Sequence, residues 1–502
     1  MAKKVGKTQK VQTVTLVDLT GGMNVAKSSE FLKENECVNL ENFEFDIEGD
    51  KLRTRRGLGT PLYSFNSAIT YIYNDYEMND FFIFLKNKQI YRYEFGKNPT
   101  LIGTLNGDAE RPTCTKFGGN VLIASGSKLQ KYNYQNLTEI AQSPNADIVF
   151  SRSGRVVVSK SGQDLLIYSA IGDEEDWHEN SNDDSARKDV NVGYKDGGDI
   201  IGVAELATDL LVFKNNGLIY TVQNEPSDWN IMQLGSKSDF ISRHACVNLG
   251  KDVVFMSTTG LKSYATSMSY ANFEPKDIGE KCNPHIKRRV DSPIISDLRR
   301  TKQLIVSGDS RNTVYVYHYG LKAFTKWTFK HNITSICENR YHTLVSMNES
   351  DTIGKIYELS WNNKTDNGQD IHQEILSGEI RDTHDMNVYR TYVDVLSDVK
   401  GTADISVNKV VMHHSWEPSD ETKEFKTQIR DHKLQFKFET DTNIIFKFVS
   451  FDIVMERESM VAQNSAGSSR RGSGFGAKKK SSSSHDDFLK GMNSSGGSPY
   501  GS

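Results

Sequence analysis

The sequence of 502 residues predicts an all-β protein whose main part is a six- to seven-bladed β-propeller. This fold class is indicated by the composition, by the spacing of turn residues and by a repeated hairpin. Aromatic residues make up 10% of the chain, with 21 Tyr and 24 Phe against only 10 Pro, and Tyr and Phe favour pleated, half-buried surfaces. Short apolar runs are interrupted by Gly, Asn and Asp about every ten residues, as in sandwiches, barrels and propellers.

The repeated unit is a hairpin whose second strand has the form apolar-x-Tyr. Successive copies begin at Leu129, Leu165, Leu218, Leu261 and Val314, so the spacings are 36, 53, 43 and 53 residues. A period of about 40–50 residues is typical of a propeller blade of about four strands. Six or seven blades would occupy residues 61–368, and the alternative is a set of unrelated hairpins in a sandwich.

The flanking segments differ from this repeat. Residues 1–15 are expected to form a flexible arm, and residues 16–60 an N-terminal segment that leads into the propeller and contains one short helix within 29–42. Residues 369–461 contain longer strands, such as Ala403–Val411, and predict a small antiparallel β domain beside the propeller. Residues 462–502 are almost entirely Ser, Gly, Lys, Arg and Asp, a composition that predicts a disordered tail.

Charge and cysteine content restrict the possible classes. The net charge is −4, yet residues 1–10 and 466–502 each carry +4, which leaves −12 on the acidic body between them. Five separate cysteines and the absence of a C-x-x-C pair indicate a reducing compartment. No apolar stretch approaches the ~18 residues of a membrane span, so we expect no membrane insertion.

A search for catalytic or metal-binding motifs predicts that the chain is not an enzyme and needs no cofactor or metal. It finds no nucleophile elbow, phosphate-binding loop or zinc-type Cys/His spacing. His413 and His414 lack a carboxylate or Cys at ligand spacing, which favours a surface loop. Asp173–Asp176 lacks the alternating spacing of a calcium loop, so a solvated acidic turn is the preferred interpretation.

Three segments carry motifs that we interpret as structural. The first segment contributes Gly21, Gly22, Asn39, Asn42, Asp46, Arg53, Arg56 and Gly57; the second contributes Ser169, Gly172, Asp173 and Trp177; the third contributes Gly197 and Gly198. The glycines would permit tight turns, and Trp177 would anchor a blade edge. In order and spacing, these segments resemble the nozzle, tail-tubular or packaged-DNA-stabilising β-propellers of podoviruses, over about residues 16–457.

The resemblance implies a structural virion protein of a short-tailed phage. It implies a homo-oligomer, expected to be a hexamer, that forms a nozzle ring below the portal and adaptor ring, contacts tail fibre or tip proteins, retains packaged DNA and channels double-stranded DNA during ejection. The expected location is the phage tail of the virion, and the host cytoplasm during assembly. Residues 370–457 or Gly21–Gly57 would form the docking surface. The alternatives are a receptor- or partner-binding propeller and a propeller-type polysaccharide-degrading enzyme.

Overall fold

The computed structural model describes residues 11–17, 19–46, 51–206, 209–223, 228–234, 239–250, 252–265, 275–289, 292–308, 311–418 and 423–455. The predicted tail at 462–502 and most of the predicted arm at 1–15 lie outside these residues. Within the described part of the chain, no helix is long and apolar enough to span a bilayer.

Seven short strands precede the first complete blade. They are β1 (Gln12–Val17), β2 (Gly22–Met23), β3 (Glu36–Glu41), β4 (Phe43–Phe45), β5 (Leu52–Thr54), β6 (Gly57–Leu58) and β7 (Tyr63–Phe65), with a 3-10 helix at Ser29–Phe31. The helix predicted within 29–42 is therefore wrong beyond that single turn. Ser28 makes no side-chain cap, and β3 instead pairs with β2 and with a distant strand, which buries Cys37 and Leu40 completely.

Five four-stranded antiparallel sheets follow one another along the chain. Blade 1 contains β8 (Ile69–Asp75), β9 (Asp80–Leu85), β10 (Gln89–Glu94) and β11 (Thr100–Thr104). Blade 2 contains β12 (Thr113–Phe117), β13 (Asn120–Ala124), β14 (Gln130–Tyr132) and β15 (Leu137–Glu139). Blade 3 contains β16 (Ile148–Arg152), β17 (Arg155–Ser159), β18 (Leu165–Tyr168) and β19 (Lys188–Asn191). Blade 4 contains β20 (Ile200–Leu206), β21 (Asp209–Lys214), β22 (Ile219–Gln223) and β23 (Asn230–Gln233). Blade 5 contains β24 (Cys246–Asn248), β25 (Asp252–Ser257), β26 (Gly260–Ala265) and β27 (Lys276–Asp277), with a 3-10 helix at Arg243–Ala245 before it.

Two further sets of strands, one of four and one of five, complete the ring. After the helix α1 (Asn283–Arg289), blade 6 contains β28 (Ile294–Leu298), β29 (Gln303–Ser307), β30 (Thr313–His318) and β31 (Ala323–Thr328). Blade 7 contains β32 (Asn332–Glu338), β33 (Thr343–Ser350) and β34 (Ile353–Ser360), and its outer edge is formed by β6 and β7 from the N-terminal segment, which both pair with β34. Strand β32 packs against β8, which closes the propeller.

The packing between blades confirms the predicted propeller fold. Six of the sheets stand alone, and blade 6 forms the end of a larger 14-stranded sheet. Separate apolar clusters lie between blades 1 and 2, 2 and 3, 3 and 4, 4 and 5, 6 and 7, and 7 and 1, while blades 5 and 6 pack within the largest cluster. The expected range of six to seven blades is thus confirmed, with seven when blade 6 is included.

The large sheet joins the propeller to strands from both sides of it. Its main order is β28-β29-β30-β31-β3-β35-β38-β36-β37, and β1, β2, β4, β5 and β39 attach to it. The later strands are β35 (Gln373–Leu396), β36 (Gly401–Val407), β37 (Val410–Trp416), β38 (Lys423–Thr440) and β39 (Ile445–Met455). The strands beyond residue 369 pair antiparallel with one another, and β3 joins them to the sheet of blade 6.

Candidate functional site

Two neighbouring arginines tie the N-terminal strands to blades 6 and 7. We call Asn42, Glu44, Arg55, Arg56 and Asp366 the arginine junction. The side chain of Arg55, which is 1% exposed, donates from Nε to Asn42 Oδ1 (2.9 Å) and from Nη1 to Asp366 Oδ1 (3.1 Å). Its Nη2 also donates to the carboxylate of Asp366. A buried guanidinium is stabilised only when opposing charge and hydrogen bonds compensate its desolvation, and here both are present.

Arg56 extends the arginine junction toward blade 6. Its Nη2 donates to Gln303 Oε1 (2.7 Å), and its backbone N–H donates to Glu44 Oε1 (2.6 Å). The amide of Gln303 donates in turn to Glu44 Oε2 (2.8 Å). All three side chains are buried, so this closed network fixes the orientation of the N-terminal strands against β29.

The other residues singled out in the first segment also have structural roles. Asn42 has φ of 58°, and its Oδ1 also accepts a hydrogen bond from the N–H of Thr328 (2.8 Å). The amide of Asn39 donates to Glu374 Oε1 (2.5 Å), which connects β3 to β35. A Cβ on Gly57 would lie 2.5 Å from the carbonyl oxygen of Thr365, so the backbone approaches too closely for any larger residue.

The remaining members of that segment make contacts with other parts of the structure. Gly22 has φ of +68°, and a Cβ there would lie 2.7 Å from the backbone nitrogen of Phe324. The carbonyl of Gly21 accepts a hydrogen bond from Lys281 Nζ (2.7 Å). The backbone N–H of Asp46 donates to the carbonyl of Lys51 (3.1 Å). Asn42 and Arg56 therefore belong to the arginine junction, and Arg53 and Gly57 lie next to it in the chain. Asn39 joins β3 to β35, Gly21 and Gly22 lie at the start of β2, and Asp46 follows β4.

Arg53 lies beside the arginine junction but faces an open groove. We call this the Arg53 groove; it has a volume of about 670 Å³, and its lining includes the cations Arg53 and Lys364, the carboxylate of Asp398, and the apolar side chains of Trp361, Leu396, Val399 and Ile445. The guanidinium carbon of Arg53 stacks 3.6 Å from the centre of the Trp361 ring, a favourable cation–π geometry. Its Nε is buried and has no hydrogen-bond partner, unlike the compensated guanidinium groups of Arg55 and Arg56.

A second cavity, of about 360 Å³, lies on the propeller axis and is lined by the innermost strands of all seven blades. One end is crossed by side chains from blades on opposite sides of the ring. Arg111, before β12, donates from Nη1 to the carbonyl of Ser292, before β28 (2.8 Å). Arg243 Nη2 donates to the carbonyl of Arg111 (3.2 Å), and the His244 ring lies 4.7 Å from Tyr71. These contacts close the axis at that end.

Burial favours the uncharged forms of one histidine and two cysteines that line the axial cavity. Burial, together with the charges of Arg243 and Arg111, lowers the pKa of His244 from 6.5 to about 3. Burial raises the pKa of the Cys246 and Cys337 thiols to about 12. A thiol needs its thiolate form to act as a nucleophile, so these cysteines are suited to packing.

The second motif lies in blade 3. Trp177 is 3% exposed, packs in the cluster between blades 2 and 3, and donates from Nε1 to the carbonyl of Glu174 (2.8 Å). Ser169 Oγ accepts from the N–H of Val156 (3.0 Å), and Gly172 has φ of 76°. Asp173 Oδ1 accepts from the N–H of Glu175 (2.8 Å). Within the described residues, no cluster of His, Cys, Asp or Glu is arranged to hold a metal ion.

The third motif supports a buried ion pair that the sequence analysis missed. Gly197 has φ of +78°, and the N–H of Gly198 donates to Asp196 Oδ1 (2.9 Å). Lys214, whose side chain is fully buried, lies 2.7 Å from the same oxygen. Burial alone would raise the pKa of Asp196, but hydrogen bonds from Lys214, Gly198 and Tyr220 lower it. A lysine that ends the apolar strand β21 is the sequence signal for this pair.

Comparisons with known proteins add no functional information. No family model matches the sequence, and no curated protein is significantly similar to it. A chain from a structure entitled "Crystal Structure of Mitotic Checkpoint Complex" is 9% identical and has a TM-score of 0.40, covering 60% of this chain and 96% of that chain. Such values carry no argument about function. The blades themselves define the class: this chain is a β-propeller protein.

Proposed function

We propose that this chain is a structural subunit of a short-tailed phage tail, in which several copies form a nozzle ring that retains packaged DNA and channels it during ejection. The observation that carries the proposal is the arginine junction, which contains Asn42 and Arg56 and is adjoined in the chain by Arg53 and Gly57. Asn39, Asn42, Arg56 and Gly57 belong to the motif that resembles the podovirus propellers. Each of them makes or permits a close contact between the N-terminal strands and neighbouring strands or loops. A subunit that forms part of a rigid ring wall needs its strands to be held together in this way, and the arginine junction does so.

The axial cavity supports the ring arrangement. The major groove of duplex DNA alone is ~12 Å wide, and a cavity of about 360 Å³ that is crossed by Arg111 and Arg243 cannot admit a duplex. DNA would therefore pass between subunits of a ring. Closed rotational symmetry with heterologous contacts produces such a ring. The −12 charge of the body between residues 11 and 465 would favour passage, because each Lys or Arg contact to phosphate would increase retention.

A partner-binding propeller outside a virion is the second candidate. The Arg53 groove favours it, since an open groove with an uncompensated cation and apolar walls is suited to a protein ligand. The polysaccharide-degrading alternative has no such support: it needs paired carboxylates in an accessible cleft, whereas Asp297 and Glu338 in the axial cavity are buried and form ion pairs with Arg299 and Arg300.

Gene deletion in the phage that encodes the chain tests the proposal. We expect particles that package DNA and then lose it, or that lack the tail tip, when examined by negative-stain electron microscopy. Supplying the wild-type chain in trans should restore intact particles, and so should Arg340→Gln, which alters an exposed arginine. DNA-filled, infectious and tail-complete particles made without the chain would refute the proposal.

A further inference from the structure

We propose that the Arg53 groove binds an extended peptide segment of a partner protein, in which an acidic side chain stands next to an apolar one. This inference goes beyond the nozzle proposal, because it concerns one groove on the propeller protein and holds in any assembly. It rests on the charge of the groove, on its apolar walls and on the contacts that hold the Arg53 side chain and the surrounding loops in place.

Among the residues that line the groove, Arg53 and Lys364 outnumber the single carboxylate of Asp398, so the groove keeps a net positive charge. The third cation of the lining, Arg55, is already paired with Asp366. Arg53 forms no ion pair within the described part of the chain, and its Nε has no hydrogen-bond partner. Lys364 is exposed, lines the same groove and also forms no ion pair with any described residue. Stacking on Trp361 holds the guanidinium plane fixed, and a fixed guanidinium presents a planar set of donors that matches a carboxylate.

The walls of the groove are apolar and solvent-exposed. Leu396 and Val399 are 38% and 51% exposed, and both line the groove together with Trp361 and Ile445. Exposed apolar groups that converge on one concave surface, with polar groups at the side, are typical of a protein-binding site. A ligand that pairs its carboxylate with Arg53 would cover these walls best if an apolar side chain stood next to that carboxylate.

The groove is already shaped for a ligand. The amide of Asn443 donates to the carbonyl of Lys364, and Ser397 Oγ donates to the carbonyl of Asn443 (2.8 Å). The indole N–H of Trp416 donates to the carbonyl of Val399 (3.2 Å). These bonds connect the loop after β34, the turn after β35 and the turn before β39. Binding to a preformed site loses less entropy on ordering.

The volume distinguishes a peptide from a small anion. Pockets that hold drug-sized ligands typically enclose ~300–1,000 Å³, and the groove of about 670 Å³ lies within that range. A phosphate or acetate ion would fill a small part of it and would leave the apolar walls in water. A basic segment is disfavoured because Arg53 and Lys364 would repel it.

Selection from a yeast-displayed random heptapeptide library on the full-length chain tests the proposal. We expect the enriched peptides to carry Asp or Glu within two positions of an apolar residue. Synthetic copies of these peptides should bind Arg53→Gln about tenfold more weakly than wild type, which corresponds to the loss of one charge-assisted hydrogen bond. Val399→Asp, which changes only an exposed wall residue, should weaken binding as well. Arg340→Gln is the matched control, because its guanidinium also lies over an aromatic ring, that of Tyr76, but outside the groove.

The possible results separate the peptide from other occupants. Enrichment of peptides without a carboxylate, equal binding to wild type and Arg53→Gln, or no enrichment at all would overturn the proposal. A different result would be that no peptide is enriched and that the wild type self-associates in sedimentation experiments whereas Arg53→Gln does not. The occupant of the groove would then be a second copy of this chain, and the peptide proposal would be wrong. Thermal melting of each variant checks that folding is intact, and particle assembly is scored separately, so failure here leaves the nozzle proposal standing.

Discussion

The buried histidine of blade 6 should make the protein sensitive to mild acid. His318, at the end of β30, is 4% exposed; its Nε2 lies 3.1 Å from Thr325 Oγ1, and its ring meets that of Phe45 edge-on. Burial, and secondarily the charge of Arg56, lowers its pKa from 6.5 to about 3. Below pH 6.5 the unfolded chain takes up a proton that the folded chain does not bind, so stability falls as the pH falls toward about 3.

The size of the effect follows from the shift. Each pH unit within this window costs about 1.4 kcal/mol, so the free energy of unfolding should drop by about 2 kcal/mol between pH 7 and pH 5 on account of His318 alone. His318→Gln keeps a hydrogen-bonding side chain but does not titrate. Urea unfolding at the two pH values should therefore show a smaller loss of stability in this variant than in wild type.

His413→Gln is the control for this measurement, because the side chain of His413 is 81% exposed and pairs with Asp404 at the surface. It should leave the difference between the two pH values close to that of wild type. The reasoning is refuted if His318→Gln loses as much stability between pH 7 and pH 5 as wild type does. The buried His244 contributes equally to both proteins and cancels in the comparison.

Two further substitutions test the arginine junction and the close backbone approach at Gly57. Arg55→Gln should lower the free energy of unfolding by about 3 kcal/mol, the lower end of the range for breaking a buried pair, because the Asp366 side chain that loses its partner is 16% exposed. Urea midpoints measure this loss, and Arg340→Gln is the exposed control. An unchanged midpoint would disprove the role given to the arginine junction. Gly57→Ala should destabilise more than Gly172→Ala, since a Cβ at residue 57 would lie 2.5 Å from a backbone oxygen whereas at residue 172 it meets nothing within 4 Å. Gly172→Ala should cost about 1–2 kcal/mol for its left-handed backbone, and equal melting temperatures for the two variants would contradict the close approach.

Features encoded by neighbouring residues were predictable from the sequence. The repeated strands expected from Leu165 and Leu261 are β18 and β26, and each pairs with the strand just before it, β17 or β25. These hairpins pair residues that are close in the chain, so turn residues and apolar runs are sufficient to indicate them. The expected strand Ala403–Val411 is partly wrong, because Asn408 has φ of 54° and turns the chain between β36 and β37.

Features that depend on distant residues were not predictable. The segment after Ser29 reads locally as a short helix, yet Leu40 pairs with Ile375 in the large sheet. Arg55 stands in the run Arg53-Thr-Arg-Arg56, which looks like an exposed basic stretch, and its partner Asp366 is 311 residues away. No pattern among neighbouring residues in the sequence indicates a partner so far away in the chain. The Arg53 groove was missed for the same reason, since its walls come from three separate parts of the chain.

The closing strand of the ring has a consequence for synthesis. Blade 7 takes β7 from before blade 1, and β1 pairs with β39 across a separation of 439 residues between Thr13 and Asp452. Contacts so distant in sequence slow folding. While the ribosome is still making blades 1–6, β7 and β1 lack their partners, and unpaired strand edges of this kind promote aggregation. The nascent chain therefore has its longest exposure to misassembly late in translation, and the N-terminal strands are the part that a chaperone would need to shield.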